Sequence, residues 1–225
     1  MRILFFSHVP LEEPERGAST LTVAVGLQAA GHSIRALVVD HKSRDESRVP
    51  LRRVMCRPGD PLAELEFEMP RFVAVRGSQR FVDLSDAEIG AYRQALRRAL
   101  DAEIATFDPQ IIHAEHAWLT AHLALESGVP YVLTAHEEEL LQYRQDARYQ
   151  RLASEAAENA GRVIVSDEKI AEQVTSIFGD LDGRIEIAPW IAGYREGADA
   201  KTCAAALTSI YGQVLDERLG RRWRP

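Results

Sequence analysis

The sequence predicts a single α/β domain built on a doubly wound parallel sheet of about seven strands, with a C-terminal amphipathic helix docked back on it. Three observations lead there. Short apolar runs alternate with longer stretches of helical period from Ile3 to Ala188, the rhythm of parallel strands joined by helical crossovers. The composition, 46% apolar and 27% charged over 225 residues, is that of a globular chain able to bury a core. No internal repeat or low-complexity segment interrupts the pattern.

Taken in order, Ile3–Ser7 reads as a first buried strand that ends where Ser7 and His8 break the apolar run. A loop with Pro10, Pro14 and Gly17 follows, then a helix over Ser19–Ala30 ended by Gly31, a residue that enters the left-handed cap freely. Ile34–Val39 is the second strand. The stretch Asp40–Arg80 is rich in Pro, Arg and Glu, and only Leu51–Cys56 stands out in it as a strand. Ser85 opens a helix: Ser85 and Glu88 have the spacing of a capping box, and Ile89, Tyr92, Leu96, Leu100 and Ile104 recur at helical intervals. After Pro109 come strand Ile111–Ala114, helix Trp118–Glu126, strand Tyr131–Ala135 and one long helix over Glu137–Ala157. Arg162–Val165, Glu168–Phe178 and Arg184–Ala188 add a strand, a helix and a strand.

Residues 1–191 therefore form the domain, 192–200 a short linker and 201–225 a final helix. That helix carries Leu207, Ile210, Tyr211, Val214, Leu215 and Leu219 on one stripe. An isolated helix of this length is marginal in water, so it must dock on the domain or on a partner.

Charge and cysteine usage exclude several classes. With 27 basic against 34 acidic residues the net charge is −7, which argues against a general nucleic-acid binder. Two cysteines, Cys56 and Cys203, stand far apart without metal-ligand spacing, so neither a disulfide framework nor a metal site is expected, and a reducing compartment fits. No run approaches the roughly 18 apolar residues of a membrane span, and a cytoplasmic location is expected.

In a doubly wound sheet, ligands bind beyond the carboxyl ends of the strands near the point where strand order reverses. Three segments fall there. In the first loop, Arg16-Gly17 precedes a helix whose N-terminus favours an anion, so it reads either as a phosphate loop or as a turn that needs glycine. At the end of the strand after Pro109 stand His113, Glu115 and His116. Strand alternation puts His113 and Glu115 on one face and sends His116 into the next loop. Imidazole and carboxylate so placed suit hydroxyl binding or base chemistry; for His113 a structural role, satisfied by a neighbouring carbonyl, is the favoured reading. The third segment is His136 at a strand-to-helix junction, where a functional role is favoured. Glu137, Glu138 and Glu139 after it are explained by the helix dipole, though a carboxylate there competes with any phosphate. Arg16, Arg71, Arg76 and Arg80 read as an anion cradle or, more simply, as solvated loop residues.

These segments, in this order, resemble the N-terminal, acceptor-side domain of family 4 glycosyltransferases of the GT-B fold, a Rossmann-like domain. Met1–Ser7, Gly17 and Thr20–Gly31 are similar to the family's first strand, loop and helix. Phe107–Leu119, with His113 and His116, and Gly128–His136 are similar to two of its central motifs; Val163–Ser166 and Ile185–Pro189 match its last strands before the interdomain crossover. Leu207–Leu215 resembles the family's closing helix, yet only about a dozen residues separate it from Pro189, so the donor domain has no counterpart. Such enzymes transfer a hexose from a nucleotide sugar with retention of configuration, without a metal or other cofactor. The resemblance implies that Arg16 and Gly17 lie at the donor diphosphate, that His136 faces the transferred sugar as the catalytic residue, and that His116 and Glu115 hold the acceptor. Where some relatives follow the histidine with Gly-Thr-Asp, this chain has Glu137-Glu138-Glu139.

Two function classes follow. One is an acceptor-side half that handles a nucleotide-sugar donor and a small-molecule or glycan acceptor, completed by a separate donor-domain subunit or by a homodimer. The other is a non-catalytic module that binds a small ligand or a protein.

Overall fold

The computed structural model describes residues 1–11, 18–42, 47–60, 63–72, 79–189 and 199–222. Its strands are β1 (Arg2–Ser7), β2 (Ser33–Asp40), β3 (Leu51–Met55), β4 (Ile111–Glu115), β5 (Tyr131–Thr134), β6 (Val163–Val165) and β7 (Ile185–Ile187). The helices are α1 (Ala18–Ala29), α2 (Asp86–Phe107), α3 (Leu119–Ser127), α4 (Glu137–Tyr143), α5 (Ala147–Asn159), α6 (Glu168–Phe178) and α7 (Ala200–Arg222). The strands form one sheet in the order β3-β2-β1-β4-β5-β6-β7, and every pairing is parallel. The chain winds outward from β1 to β3 and then returns to the other side of β1 for β4. The β1/β4 boundary is therefore the switch point.

Strand alternation divides the core into two layers. Ile3, Phe5, Ala36 and Val38 point to one face, where Val23, Ala24 and Leu27 of α1 meet Cys203, Ala204, Leu207, Tyr211 and Val214 of α7. Leu4, Phe6, Leu37, Ile112, Ala114 and Leu133 point to the other, under α2, α3, α5 and α6. Helix α7 is thus a structural layer of the domain through Leu207, Ile210, Tyr211 and Val214, whereas Leu219 at the end of the expected stripe stays exposed. Arg162 pairs with Glu217 at 2.5 Å and Arg218 donates to the Gly128 carbonyl that ends α3, at 2.6 Å.

The approach of α7 to α1 depends on one glycine. A Cβ on Gly26 would lie 2.6 Å from the backbone oxygen of Ala200 and 3.3 Å from the Ala204 methyl. Because backbone is the obstacle, Gly26→Ala is expected to push the helices apart and to cost about 1–3 kcal/mol, despite alanine's better helix propensity. Urea unfolding measures this, and a variant as stable as the parent would contradict the close approach.

Two expectations need correction. The single helix over Glu137–Ala157 is two helices, α4 and α5, because Asp146 leaves helical geometry (φ −141°, ψ 106°) to accept from the Arg148 amide and cap α5. Arg148 then reaches Asp146 at 2.6 Å, Asp86 at 2.9 Å and the Leu84 carbonyl at 2.7 Å, tying α5 to the start of α2. Arg71 is not a solvated loop residue but buried: its amide donates to the Gln79 carbonyl and its carbonyl accepts from the Phe81 amide, which folds it into the domain. Arg80 pairs with Asp83, Arg76 lies outside the described residues, and so does most of the 192–200 linker. The capping box at Ser85 is present. Among the described residues no helix is long and apolar enough to cross a membrane.

Candidate functional site

The carboxyl ends of β1, β4 and β5 bring a polar cluster together beside the switch point. On the α1/α7 side of the sheet, Glu115 ends β4 with both oxygens engaged. Oε2 lies 3.0 Å from Nε2 of His136, and Oε1 accepts from the Thr20 hydroxyl of α1 at 3.0 Å. His113, two residues back on the same face, sits with Nε2 3.9 Å from Oε1. Glu115 is 6% exposed, whereas the His136 side chain keeps 27% of its surface in contact with solvent. The pair therefore consists of a buried carboxylate beside a partly exposed histidine.

Electrostatics fixes the protonation states. Burial alone would raise the Glu115 carboxyl, but the hydrogen bond from His136, the two neighbouring imidazoles and Thr20 together hold it below the usual carboxylate range. Burial works against a charged His136 too, yet the Glu115 hydrogen bond and the carboxylates of Glu139, Glu115 and Glu138 outweigh it and raise its pKa to about 9. Near neutrality the crevice carries an imidazolium backed by a carboxylate. Glu139, in the first turn of α4, accepts from the His136 and Ala117 amides through Oε1 at 2.7 and 3.3 Å, and burial raises its pKa to about 7.

On the opposite side of the sheet lies an aromatic layer. His116 has a left-handed backbone (φ 72°), uncommon for a non-glycine residue: its amide donates to the Thr134 carbonyl and its own carbonyl accepts from the Trp118 amide. That turn swings the ring onto Phe72 (4.6 Å, 29°) and to within 4.8 Å of His136. His8, fully buried, completes the layer. Its Nε2 accepts from the Thr120 amide at 3.3 Å, so its Nδ1–H faces the Tyr92 hydroxyl at 2.8 Å, and burial lowers its pKa to about 3. It is a neutral structural histidine.

Of the residues singled out in the sequence, Glu115, His116 and His136 do come together. His113 is structural as expected, but hydroxyls rather than a carbonyl satisfy it: Tyr211 at Nδ1 and Thr134 at Nε2, both at 2.6 Å. Arg16 and Gly17 lie outside the described residues. Glu137 pairs with Lys169 at 2.7 Å on the surface. Sequence reasoning missed Thr20, His8 and Phe72. His8 left a signal, a polar residue just where the first strand's apolar run stops; Thr20 and Phe72 left none.

Fold and site together define a class: a doubly wound domain with a charged histidine–carboxylate pair in the crevice where strand order reverses. A family model of the glycosyl transferase 4-like domain matches residues 17–189, and the chain belongs to that family. No curated protein matches the chain. Among solved structures it is similar to sucrose-phosphate synthase from Thermosynechococcus elongatus, with a TM-score of 0.59 and 15% identity over 84% of this chain and 48% of the synthase. A shorter chain of that synthase, designated 27_220_406_426, aligns with a TM-score of 0.59 and 14% identity over 95% of this chain and 99% of its own. UDP-GlcNAc 2-epimerase from Neisseria meningitidis, bound to UDP-GlcNAc, aligns at 0.52 and 11% identity over 99% of this chain and 54% of the epimerase. The chain thus spans about half the length of the full synthase and of the epimerase.

Proposed function

We propose that this chain is the acceptor-side half of a sugar-transfer site, one that positions a small-molecule or glycan acceptor against a nucleotide-sugar donor. The observation that carries the reading is the Glu115–His136 pair at the switch-point crevice. A protonated His136 is a poor general base at neutral pH and a good hydrogen-bond donor, suited to the oxygens of a sugar or of a phosphate leaving group. His116, beside it and stacked on Phe72, would hold the acceptor, and the Arg16-Gly17 loop before α1 would meet the diphosphate. The family membership supports the reading, and so does the epimerase, a structural neighbour bound to UDP-GlcNAc.

Transfer needs donor and acceptor in register within one cleft, so activity would require a facing half, supplied by a separate donor-domain subunit or by a second copy of this chain. Two free, buried cysteines fit a reducing, cytoplasmic setting. A second reading, a non-catalytic module for a small ligand or a protein, is favoured by Glu137, a carboxylate just after His136 where some relatives carry the glycine of Gly-Thr-Asp.

Calorimetric titration with UDP, GDP and their hexose conjugates tests the proposal. Saturable binding of one of them, lost in His136→Ala, is the expected result. Binding of none would leave the second reading.

A further inference from the structure

We infer that Glu139 is a positioning residue of the crevice: its carboxyl group clips the turn after β4 to the turn after β5 and so holds His116 and His136 side by side. The inference deepens the functional reading above, since it concerns the same two histidines, but its test needs no sugar or nucleotide.

The β4–β5 ladder ends where the His116 amide donates to the Thr134 carbonyl at 2.9 Å. Beyond that point the two chains part toward α3 and α4, and among the described residues no backbone–backbone hydrogen bond joins them. Glu139, the third residue of α4 and 1% exposed, bridges the gap. Its Oε1 accepts from the His136 amide at 2.7 Å and, across 22 residues of sequence, from the Ala117 amide at 3.3 Å.

The turn that it holds is one that would otherwise relax. A left-handed residue other than glycine persists only where its surroundings fix it, and His116 has φ 72°. Its amide is tied to Thr134, its carbonyl accepts from the Trp118 amide, and Glu139 takes the amide between them. Ala117 is 1% exposed, so truncating Glu139 would leave that N–H buried without an acceptor, a state the turn escapes by rearranging. The His116 ring, 4.8 Å from His136, moves with the turn.

The clip needs an acceptor oxygen rather than a charge. One oxygen serves both amides, while Oε2 has no hydrogen-bond partner among the described residues. Glutamine can therefore replace Glu139, because two donor amides orient its carbonyl oxygen toward them; alanine cannot. The titratable groups around the carboxyl are His136 at the head of α4, Glu138 beside it on that helix, and Glu115 and His116 from the end of β4.

The experiment is amide NMR with hydrogen exchange on the full chain, on Glu139→Gln and on Glu139→Ala. In the parent, the Ala117 and His136 amide protons are expected to move downfield together as Glu139 ionises, with one midpoint near 7. A second step near 9 belongs to the His136 ring. In Glu139→Gln the step near 7 disappears and both amides keep the protection of the parent. In Glu139→Ala both exchange about tenfold faster or more, as the loss of one hydrogen bond implies, and the contact between the two rings is lost. Parent amides that titrate apart or not at all would overturn the inference. So would a Glu139→Gln that releases either amide, or a folded Glu139→Ala that keeps both protected. If Glu139→Ala does not fold, the parent titration and Glu139→Gln still decide the matter. Failure of nucleotide binding with the amide result intact would sink the functional reading alone.

Discussion

Replacing Glu115 by glutamine is expected to lower the pKa of His136 from about 9 toward its ordinary 6.5, because burial then acts against the cation with only Glu139 and Glu138 to oppose it. Glutamine keeps the shape and the contact with Thr20 but supplies no charge. Removing one partner of a buried ion pair typically costs about 3–5 kcal/mol, and the low end applies here since His136 retains access to water. The loss should depend on pH with a definite sign. His136, raised above 6.5, contributes stability that is complete below 6.5 and disappears as pH rises through about 9. Glu115, lowered from 4.5, contributes stability that is present above 4.5 and disappears as pH falls through its folded value. The parent and Glu115→Gln should therefore differ most between about pH 4.5 and 6.5 and converge at high pH. Glu139 adds a slope of its own in both proteins: raised to about 7, it stabilises below 4.5 and loses that contribution as pH approaches 7. Urea unfolding at several pH values separates these effects, and an equal loss at pH 6 and at about pH 10 would show that charge pairing is not what holds the site.

Trp118→Ala is expected to be the most destabilising single change in the aromatic layer. Trp118 is 1% exposed, stacks on Tyr149 with centroids 4.2 Å apart and meets Phe72 and Phe81 edge-on at 5.6 and 6.3 Å. Its indole N–H has no hydrogen-bond partner among the described residues, so truncation removes packing and leaves no acceptor stranded. Loss of a fully buried tryptophan costs about 3–5 kcal/mol, which for a chain of this size lowers Tm by on the order of 10 °C. The site should respond too. Phe72 is sandwiched between Trp118 and His116, so the cavity loosens the stack that holds the His116 ring. Trp118→Phe keeps a ring against Tyr149 and should recover more than half of the stability. Thermal unfolding of both variants decides the matter: a small loss in Trp118→Ala would mean that the layer collapses around the gap.

Most of the scaffold was legible because its signals are local. The capping box at Ser85–Glu88, Gly31 after α1 and the apolar runs of β1, β2, β4 and β5 each report a backbone state from a few adjacent residues. The break between α4 and α5 was missed because its signal is one short cap, Asp146 accepting from the Arg148 amide, set inside a stretch whose composition is helical on both sides. The segment between β3 and α2 resisted assignment for another reason: Leu65, Met69 and Phe72 are buried by packing onto Phe81, Tyr92 and Trp118, with little regular structure to announce it.

The same division runs through the site. By itself the sequence determined the parallel sheet, the docking of the last helix, and the placement of Glu115, His116 and His136 at strand ends, since periodicity and strand alternation are properties of neighbouring residues. Tertiary structure alone decided that Glu115 and His136 share a proton-holding contact, that His113 is spent on Tyr211 and Thr134, and that His8 is neutral. Those outcomes depend on burial and on distances of about 3 Å between residues 21 to 112 positions apart, and a charge state follows from what surrounds a group in space, which one-dimensional spacing does not contain.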